Sequence, residues 1–86
     1  MEKKDIKIES DAGVHARPAM MLVKEATKFP CDIKLIKDDI EADAKSIMSV
    51  LGLAIISGSE ITVKAEGENE KEAVDTIISL IKNNFQ

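Results

Sequence analysis

The sequence predicts an α+β fold in which three helices pack on one face of a four-stranded sheet. Alternating apolar segments and segments with helical spacing follow one another in the order β-α-β-β-α-β-α. Each helical segment has a single apolar face, so all three helices can bury it on the same side of a sheet. A length of 86 residues, with 44% hydrophobic and 33% charged content, is typical of one small folded domain, here residues 1–86.

The first strand and the first helix are predicted on either side of a short turn. Residues 5–9 alternate between polar and apolar side chains, which indicates a strand, and residues 10–13 (Ser-Asp-Ala-Gly) are typical of a turn. From Pro18 onward apolar residues recur at helical spacing, and Pro30 ends the pattern.

A hairpin and a short helix are predicted next. Apolar residues alternate within 33–35 and again within 40–42, and the intervening Asp38-Asp39 pair favours a turn. Ser46 has the side chain of an N-cap residue and precedes an apolar segment, so we expect it to cap a short helix.

The last strand and the last helix complete the sheet and its cover. Residues 61–65 alternate as a fourth strand, and Gly67 ends it. Asn69 is expected to cap the final helix, whose apolar stripe consists of Ala73, Val74, Ile77, Ile78 and Ile81.

The composition excludes several classes of function. Twelve basic residues against sixteen acidic ones give a net charge of −4, and only two residues are aromatic. Nucleic-acid binding, which relies on cationic side chains and stacked rings, is therefore not expected. The single cysteine, Cys31, can form neither an intrachain disulfide nor a cysteine-based metal site. Because no apolar run approaches the ~20 residues of a membrane span and no signal peptide is evident, we expect a reduced, cytoplasmic protein without membrane insertion.

The only histidine and the only arginine of the chain, His15 and Arg17, lie two residues apart, just before the first predicted helix. Pro18 suits the first turn of that helix, whose free amides and positive dipole end favour an anion. The same positive field favours a neutral imidazole, which can act as a nucleophile. A histidine that accepts a phosphoryl group, stabilised by Arg17, is one interpretation. An ordinary loop histidine with a neighbouring arginine explains the spacing equally well.

A resemblance to a known family favours the first interpretation. Residues 13–19, Gly-Val-His-Ala-Arg-Pro-Ala, resemble the active-site motif of HPr, the histidine-containing phosphocarrier of the phosphoenolpyruvate:sugar phosphotransferase system. Residues 45–48, Lys-Ser-Ile-Met, resemble the second motif of that family. The resemblance extends over essentially the whole chain and implies an open-faced β-sandwich with four antiparallel strands.

The resemblance also implies roles for particular residues. His15 would accept the phosphoryl group on Nδ1 from phosphorylated Enzyme I, which takes it from phosphoenolpyruvate, and would pass it to Enzyme IIA components. Arg17 and the backbone amides of Ala16 and Arg17 would bind the phosphoryl oxygens. Such a protein is a carrier and a substrate of Enzyme I rather than an enzyme, and it needs no metal or organic cofactor.

A docking surface is expected beside this motif. Methionine is pliable and suits a surface that meets several partners, although core filling is its commoner role. We expect Met20, Met48 and Leu51 to be exposed, and Lys24 and Lys28 to form a basic rim that attracts acidic partners. The residues expected to contact partners are Met20, Met21, Lys24, Lys28, Ile47, Met48 and Leu51.

Ser46 has two readings. It can serve as an N-cap alone. In HPr proteins of the Gram-positive type the matching serine is phosphorylated by the ATP-dependent HPr kinase/phosphorylase, and the product binds a regulator of carbon catabolite transcription. The family string after this serine usually continues Ile-Met-Gly-Val-Met-Ser-Leu-Gly. The chain departs from the family pattern at Ala12, Ser49, Leu51, Gly52 and Ala54.

Two other functions remain as alternatives. One is a regulatory binding module of the same fold, working mainly through Ser46 and the docking surface. The other is a small phosphohydrolase, which would need a general base beside His15 and Arg17 that the sequence does not reveal.

Overall fold

The computed structural model describes residues 1–9 and 13–85. Its seven elements follow the predicted order: β1 (Glu2–Lys7), α1 (Ala16–Ala26), β2 (Asp32–Lys37), β3 (Ile40–Asp43), α2 (Ile47–Gly52), β4 (Glu60–Glu66) and α3 (Glu70–Lys82). The strands form one antiparallel sheet in the order β1-β4-β2-β3. The predicted fold class is therefore confirmed. Ser10, Asp11 and Ala12 of the predicted turn, with Gln86, lie outside the described residues.

The core lies between one face of the sheet and the helices. Inward-facing residues of the central strands, such as Leu35 and Val63, are completely buried, as are Leu22 of α1 and Ile77 of α3. Helices α1 and α2 pack against each other, and α3 covers β1 and β4. One apolar face per helix is thus satisfied on a single side of the sheet, as the pattern predicts.

The β2–β3 hairpin is confirmed, and its turn has a clear physical basis. Asp38 and Asp39 have φ angles of 51° and 67°, in the left-handed region. Two successive residues of this kind produce the mirror-image turn whose twist matches that of a two-residue hairpin. Aspartate tolerates this backbone better than most side chains do.

The bounds of β1 and α1 differ from the prediction. Strand β1 covers residues 2–7 rather than 5–9, because Glu2 to Lys7 pair with Ala65 to Glu60 of β4. Helix α1 begins at Ala16 and ends at Ala26, whereas the prediction ran from Pro18 to Pro30. The apolar spacing continues past the helix because Phe29, in the following turn, still packs on the core.

The two predicted N-caps have different outcomes. Ser46 caps α2 as predicted, because its hydroxyl accepts a hydrogen bond from the Ser49 amide (3.3 Å). Asn69 holds the N-cap position of α3, but its side chain makes no capping hydrogen bond, and its φ is 62°. The carboxylate of Glu70 instead accepts a hydrogen bond from the Gly67 amide (3.1 Å).

Within the described residues no helix has the length and apolar character needed to cross a membrane. The same part of the chain contains no group of three or more metal-ligating side chains arranged to hold an ion.

Candidate functional site

His15 occupies the N-cap position of α1. Its backbone is extended (φ −96°, ψ −163°), and its carbonyl accepts the hydrogen bond from the Ala19 amide (2.9 Å) that begins the helix. Its side chain makes no capping hydrogen bond and is exposed. The imidazole is therefore presented to solvent at the positive end of a helix of 11 residues.

The first turn of α1 leaves backbone donors beside the imidazole. No described residue accepts a hydrogen bond from the amides of Ala16 or Arg17, and Pro18 has no N–H to satisfy. No acidic residue lies in this first turn, and the exposed Arg17 forms no ion pair with a carboxylate of the described residues. The turn can therefore bind an oxyanion through amides and a guanidinium together.

Residues 53–59, which join α2 to β4 and are called the connector here, contact the segment that precedes His15. The Val14 amide donates a hydrogen bond to the Ile55 carbonyl (2.9 Å). Gly13 has a φ of 66°, and a Cβ added there would lie 2.6 Å from the Ile55 carbonyl oxygen and 2.8 Å from Cα of Ile56. A side chain at this position would push the two backbone segments apart, which explains why the histidine motif begins with a glycine.

The connector is itself held in place by side chains. Nζ of Lys37, on β2, donates hydrogen bonds to the carbonyl oxygens of Leu53 (3.2 Å) and Ala54 (2.9 Å). The hydroxyl of Ser59 accepts a hydrogen bond from the Ile56 amide (3.0 Å). The sequence pattern does not reveal this supporting role, because the contacts of the connector with residues 13–14 join parts of the chain that no periodicity links.

An open groove between α1 and α2 begins beside Arg17. Its lining consists of Arg17, Met20, Met21, Val23, Lys24 and Ile47. Met20 is 57% exposed, and Met48, on the neighbouring turn of α2, is 78% exposed. The structure therefore brings together most of the residues predicted to form a docking surface, and the predicted exposure of Met20 and Met48 is observed. The exposed Ile56 (65%), on the connector, is an apolar side chain that sequence reasoning missed.

The structure differs from the predicted docking surface in two details. Leu51 is only partly exposed, because it packs against the core from the inner side of α2. The predicted exposure of Leu51 is therefore wrong. Lys28 lies beyond the end of α1 and does not line the groove; its Nζ pairs with the Glu25 carboxylate at 3.0 Å. Of the two lysines of the predicted rim, only Lys24 borders the groove.

These features define a class of protein: a small α+β domain with a solvent-exposed histidine at a helix N-terminus and an apolar groove beside it. Comparison with known proteins gives the family. Residues 2–83 match the PTS-HPr family, described as the PTS HPr component phosphorylation site. The chain belongs to the HPr family of the phosphotransferase system.

Relatives and solved structures agree with this assignment. The chain is 41% identical over 86 residues to the phosphocarrier protein HPr of Treponema pallidum, covering 100% of this chain and 98% of that protein. It is 42% identical to the HPr-like protein Crh of Halalkalibacterium halodurans, covering 95% of this chain and 98% of the relative. The crystal structure of HPr-C-His from Thermoanaerobacter tengcongensis superimposes with a TM-score of 0.96 at 38% identity, covering 99% and 96% of the two chains.

Proposed function

We propose that the protein is a single-domain phosphoryl carrier in which His15 accepts a phosphoryl group from phosphorylated Enzyme I and passes it to Enzyme IIA components. The observation that carries this proposal is the position of His15, exposed at the N-cap of α1 beside amides that no described residue engages. Membership of the HPr family supports the choice of phosphoryl transfer over other anion chemistry. A cytoplasmic location stays a prediction from the sequence.

The transfer needs little beyond positioning and charge stabilisation. The lone pair of His15 Nδ1 attacks phosphorus, and the bond between phosphorus and Enzyme I breaks as the new N–P bond forms. The amides of Ala16 and Arg17 and the Arg17 guanidinium stabilise the charge on the phosphoryl oxygens. The reverse geometry applies when the group leaves for an Enzyme IIA component. The first turn of α1 carries no acidic residue that could activate water as a general base, which favours storage of the phosphoryl group over its hydrolysis.

The groove between α1 and α2 is the surface we propose for contact with these partners. Met20, Ile47 and Met48 supply exposed apolar area next to His15, and Lys24 supplies a cation at its border. Apolar contact at the centre with charge at the edge is typical of interfaces that form and dissociate repeatedly. Met21, Lys28 and Leu51 were also predicted to contact partners; the half-buried Met21 and Leu51 and the ion-paired Lys28 would contribute less.

The decisive experiment measures intact mass after incubation with phosphoenolpyruvate and Enzyme I. We expect one acid-labile phosphoryl group on the protein and none on His15→Ala. Arg17→Ala should slow transfer at least about tenfold while changing the free energy of unfolding by less than about 0.5 kcal/mol, because its side chain is exposed. The transfer rate of Arg17→Lys, which keeps the charge but not the planar fork, should lie between the rates of the wild type and Arg17→Ala. An unphosphorylated wild-type protein, tested with an Enzyme I that phosphorylates another HPr, would refute the proposal.

A second candidate function is a regulatory module that acts through phosphorylation of Ser46. The identity of 42% and 37% to two HPr-like proteins named Crh supports this alternative. Ser46 lies at the start of α2, next to the exposed Ile47 and Met48. A phosphate there would add about two negative charges beside the docking surface and weaken contact with Enzyme I. It would at the same time create a distinct surface for a catabolite-control transcription regulator.

The two functions are separated by which residue is modified. Incubation with ATP and HPr kinase/phosphorylase should add a phosphate that is stable in acid and absent from Ser46→Ala. Ser49→Ala is a matched control, because Ser49 contributes its amide rather than its hydroxyl to the α2 cap. Phosphorylation of Ser46 without transfer to His15 would favour the regulatory module, whereas transfer to His15 favours the carrier.

A further inference from the structure

The sulfur atoms of this chain are distributed unevenly around the proposed docking surface. Met20 is 57% exposed in the groove that Arg17 also lines, and Met48, which follows the groove-lining Ile47, is 78% exposed. The single thiol, Cys31, is only 2% exposed in the core. Access governs oxidation of a sulfur atom, so an oxidant in solution meets these two thioethers and not the thiol. The thioether of Met1 is also exposed (60%), but Met1 precedes β1 and does not line the groove.

We propose that Met20 and Met48 form a peroxide-sensitive modification site that controls docking of the phosphotransfer partners. In the reaction the thioether sulfur attacks one oxygen of hydrogen peroxide, and the O–O bond breaks. The sulfur gains an S=O bond and loses two electrons, while the peroxide is reduced to one molecule of water. The inference rests on the proposed function, because it assumes that this surface meets Enzyme I and Enzyme IIA components.

The environment of the two residues explains why the modification would matter. Met20 shares its groove with the apolar side chains of Val23 and Ile47, and Met48 follows Ile47 on α2. A sulfoxide oxygen is a strong hydrogen-bond acceptor, and a partner that covers it with apolar groups must remove its water without replacing it. Oxidation therefore converts apolar contact area into a polar obstacle. The imidazole of His15 is not consumed, so transfer within a formed complex stays intact.

The neighbouring Met21 supplies an internal comparison. It lines the same groove but is half-buried and packs against the core. Its sulfur should react more slowly than those of Met20 and Met48. Because Met20 and Met21 are adjacent on one helix, a difference between their oxidation rates would reflect the exposure of each side chain and not the neighbouring sequence.

The experiment treats the full-length protein with hydrogen peroxide and locates the added oxygen atoms by peptide mass mapping. Phosphoryl transfer from Enzyme I is then measured over a range of carrier concentrations, before treatment, after treatment, and after repair by the two methionine sulfoxide reductases. The variant Met20→Leu/Met48→Leu lacks both thioethers, and Met21→Leu is its matched control. Each protein is compared with its own untreated sample, so any effect of leucine on the untreated rate cancels.

We expect oxidation at Met20 and Met48 before Met21 and Cys31. The KM for the carrier should rise about tenfold, which corresponds to the loss of one well-packed apolar contact, with little change in the rate at saturation. Repair should restore the KM. Oxidation should raise the KM of Met21→Leu by the same factor as that of the wild type, and it should leave the KM of Met20→Leu/Met48→Leu unchanged.

Three results would overturn the inference. They are oxidation of both residues without a change in KM, a loss of transfer that persists in Met20→Leu/Met48→Leu, and initial oxidation at Met21 or Cys31. An untreated protein that accepts no phosphoryl group would instead refute the proposed function, and this inference with it.

Discussion

The close contact between Gly13 and the connector can be tested by adding one methyl group. Gly13→Ala places a Cβ 2.6 Å from the Ile55 carbonyl oxygen and 2.8 Å from Cα of Ile56. Both neighbours are backbone atoms, so neither can rotate away as a flexible side chain would. Gly58→Ala is the matched control, because Gly58 also has a positive φ (89°) but nothing within 4 Å of the added Cβ.

The expected magnitude follows from two separate costs. An alanine in the left-handed region costs about 1–2 kcal/mol, and both variants incur this cost. Gly13→Ala adds the cost of forcing an extra methyl group into a closely packed contact, about 1–3 kcal/mol. We therefore expect the free energy of unfolding to fall by about 2–5 kcal/mol in Gly13→Ala and by only about 1–2 kcal/mol in Gly58→Ala.

Urea unfolding monitored by circular dichroism measures both values. Phosphoryl transfer to His15 should also slow in Gly13→Ala at temperatures where the variant is folded, because the segment before His15 must move away from Ile55. Equal destabilisation of the two variants would show that the left-handed backbone alone requires glycine at position 13. The argument from close approach would then be wrong.

Other predictions concern stability and pH. Gly52→Ala should stabilise the protein by about 0.5–1 kcal/mol, because an added Cβ in α2 meets nothing within 4 Å. Ala54→Gly should also stabilise the protein by about 0.5–1 kcal/mol, because it removes an alanine whose φ is 51°. Both are measured by urea unfolding, and a loss of stability in either contradicts it. Lys37→Met removes the ammonium that donates hydrogen bonds to two connector carbonyls, so it should slow phosphoryl transfer to His15. Lys37→Arg keeps a cationic donor and should retain most of the transfer rate. Equal transfer rates in the wild type and Lys37→Met would show that Lys37 does not support the site. The α-amino group of Met1 and a backbone amide lower the pKa of the Glu70 carboxyl, so this group stabilises the fold above its ordinary pKa and loses that effect as the pH falls through the lowered value. The acid limb of the stability curve, below the ordinary pKa of a glutamate, should therefore be shallower in Glu70→Gln, and an unchanged limb would show that the ion pair contributes nothing.

Periodicity predicted every element, because almost every element is amphipathic. Where a predicted boundary is wrong, the cause is physical. The inner face of β1 carries Glu2 and Lys4 next to the half-buried Ile6, since β1 lies at the edge of the sheet. Lys4 reaches Asp75 of α3 (3.8 Å) instead of entering the core. An alternating apolar pattern is therefore visible only at the end of the strand, and the predicted β1 began too late.

Part of the candidate site could likewise be predicted from the sequence, and part could not. The position of His15 before a helix could be predicted, because Pro18 suits the first turn of a helix and a short motif carried the resemblance. The support from residues 53–56 could not be predicted, since it joins backbone atoms from distant parts of the chain through contacts that do not depend on side-chain type. The partial burial of Leu51 likewise depends on how α2 is rotated about its axis, which six residues do not determine.

The strand order β1-β4-β2-β3 has a consequence for synthesis on the ribosome. Strand β4 lies between β1 and β2, and it is the last strand to leave the exit tunnel. A nascent chain that ends before residue 60 can form the β2–β3 hairpin, but β1 has no neighbour with which to pair. The connector that supports Gly13 and Val14 also emerges late, at residues 55–56. An incomplete chain therefore contains the histidine motif long before the backbone around it is in place, and we expect His15 to accept a phosphoryl group only in chains in which β4 has formed.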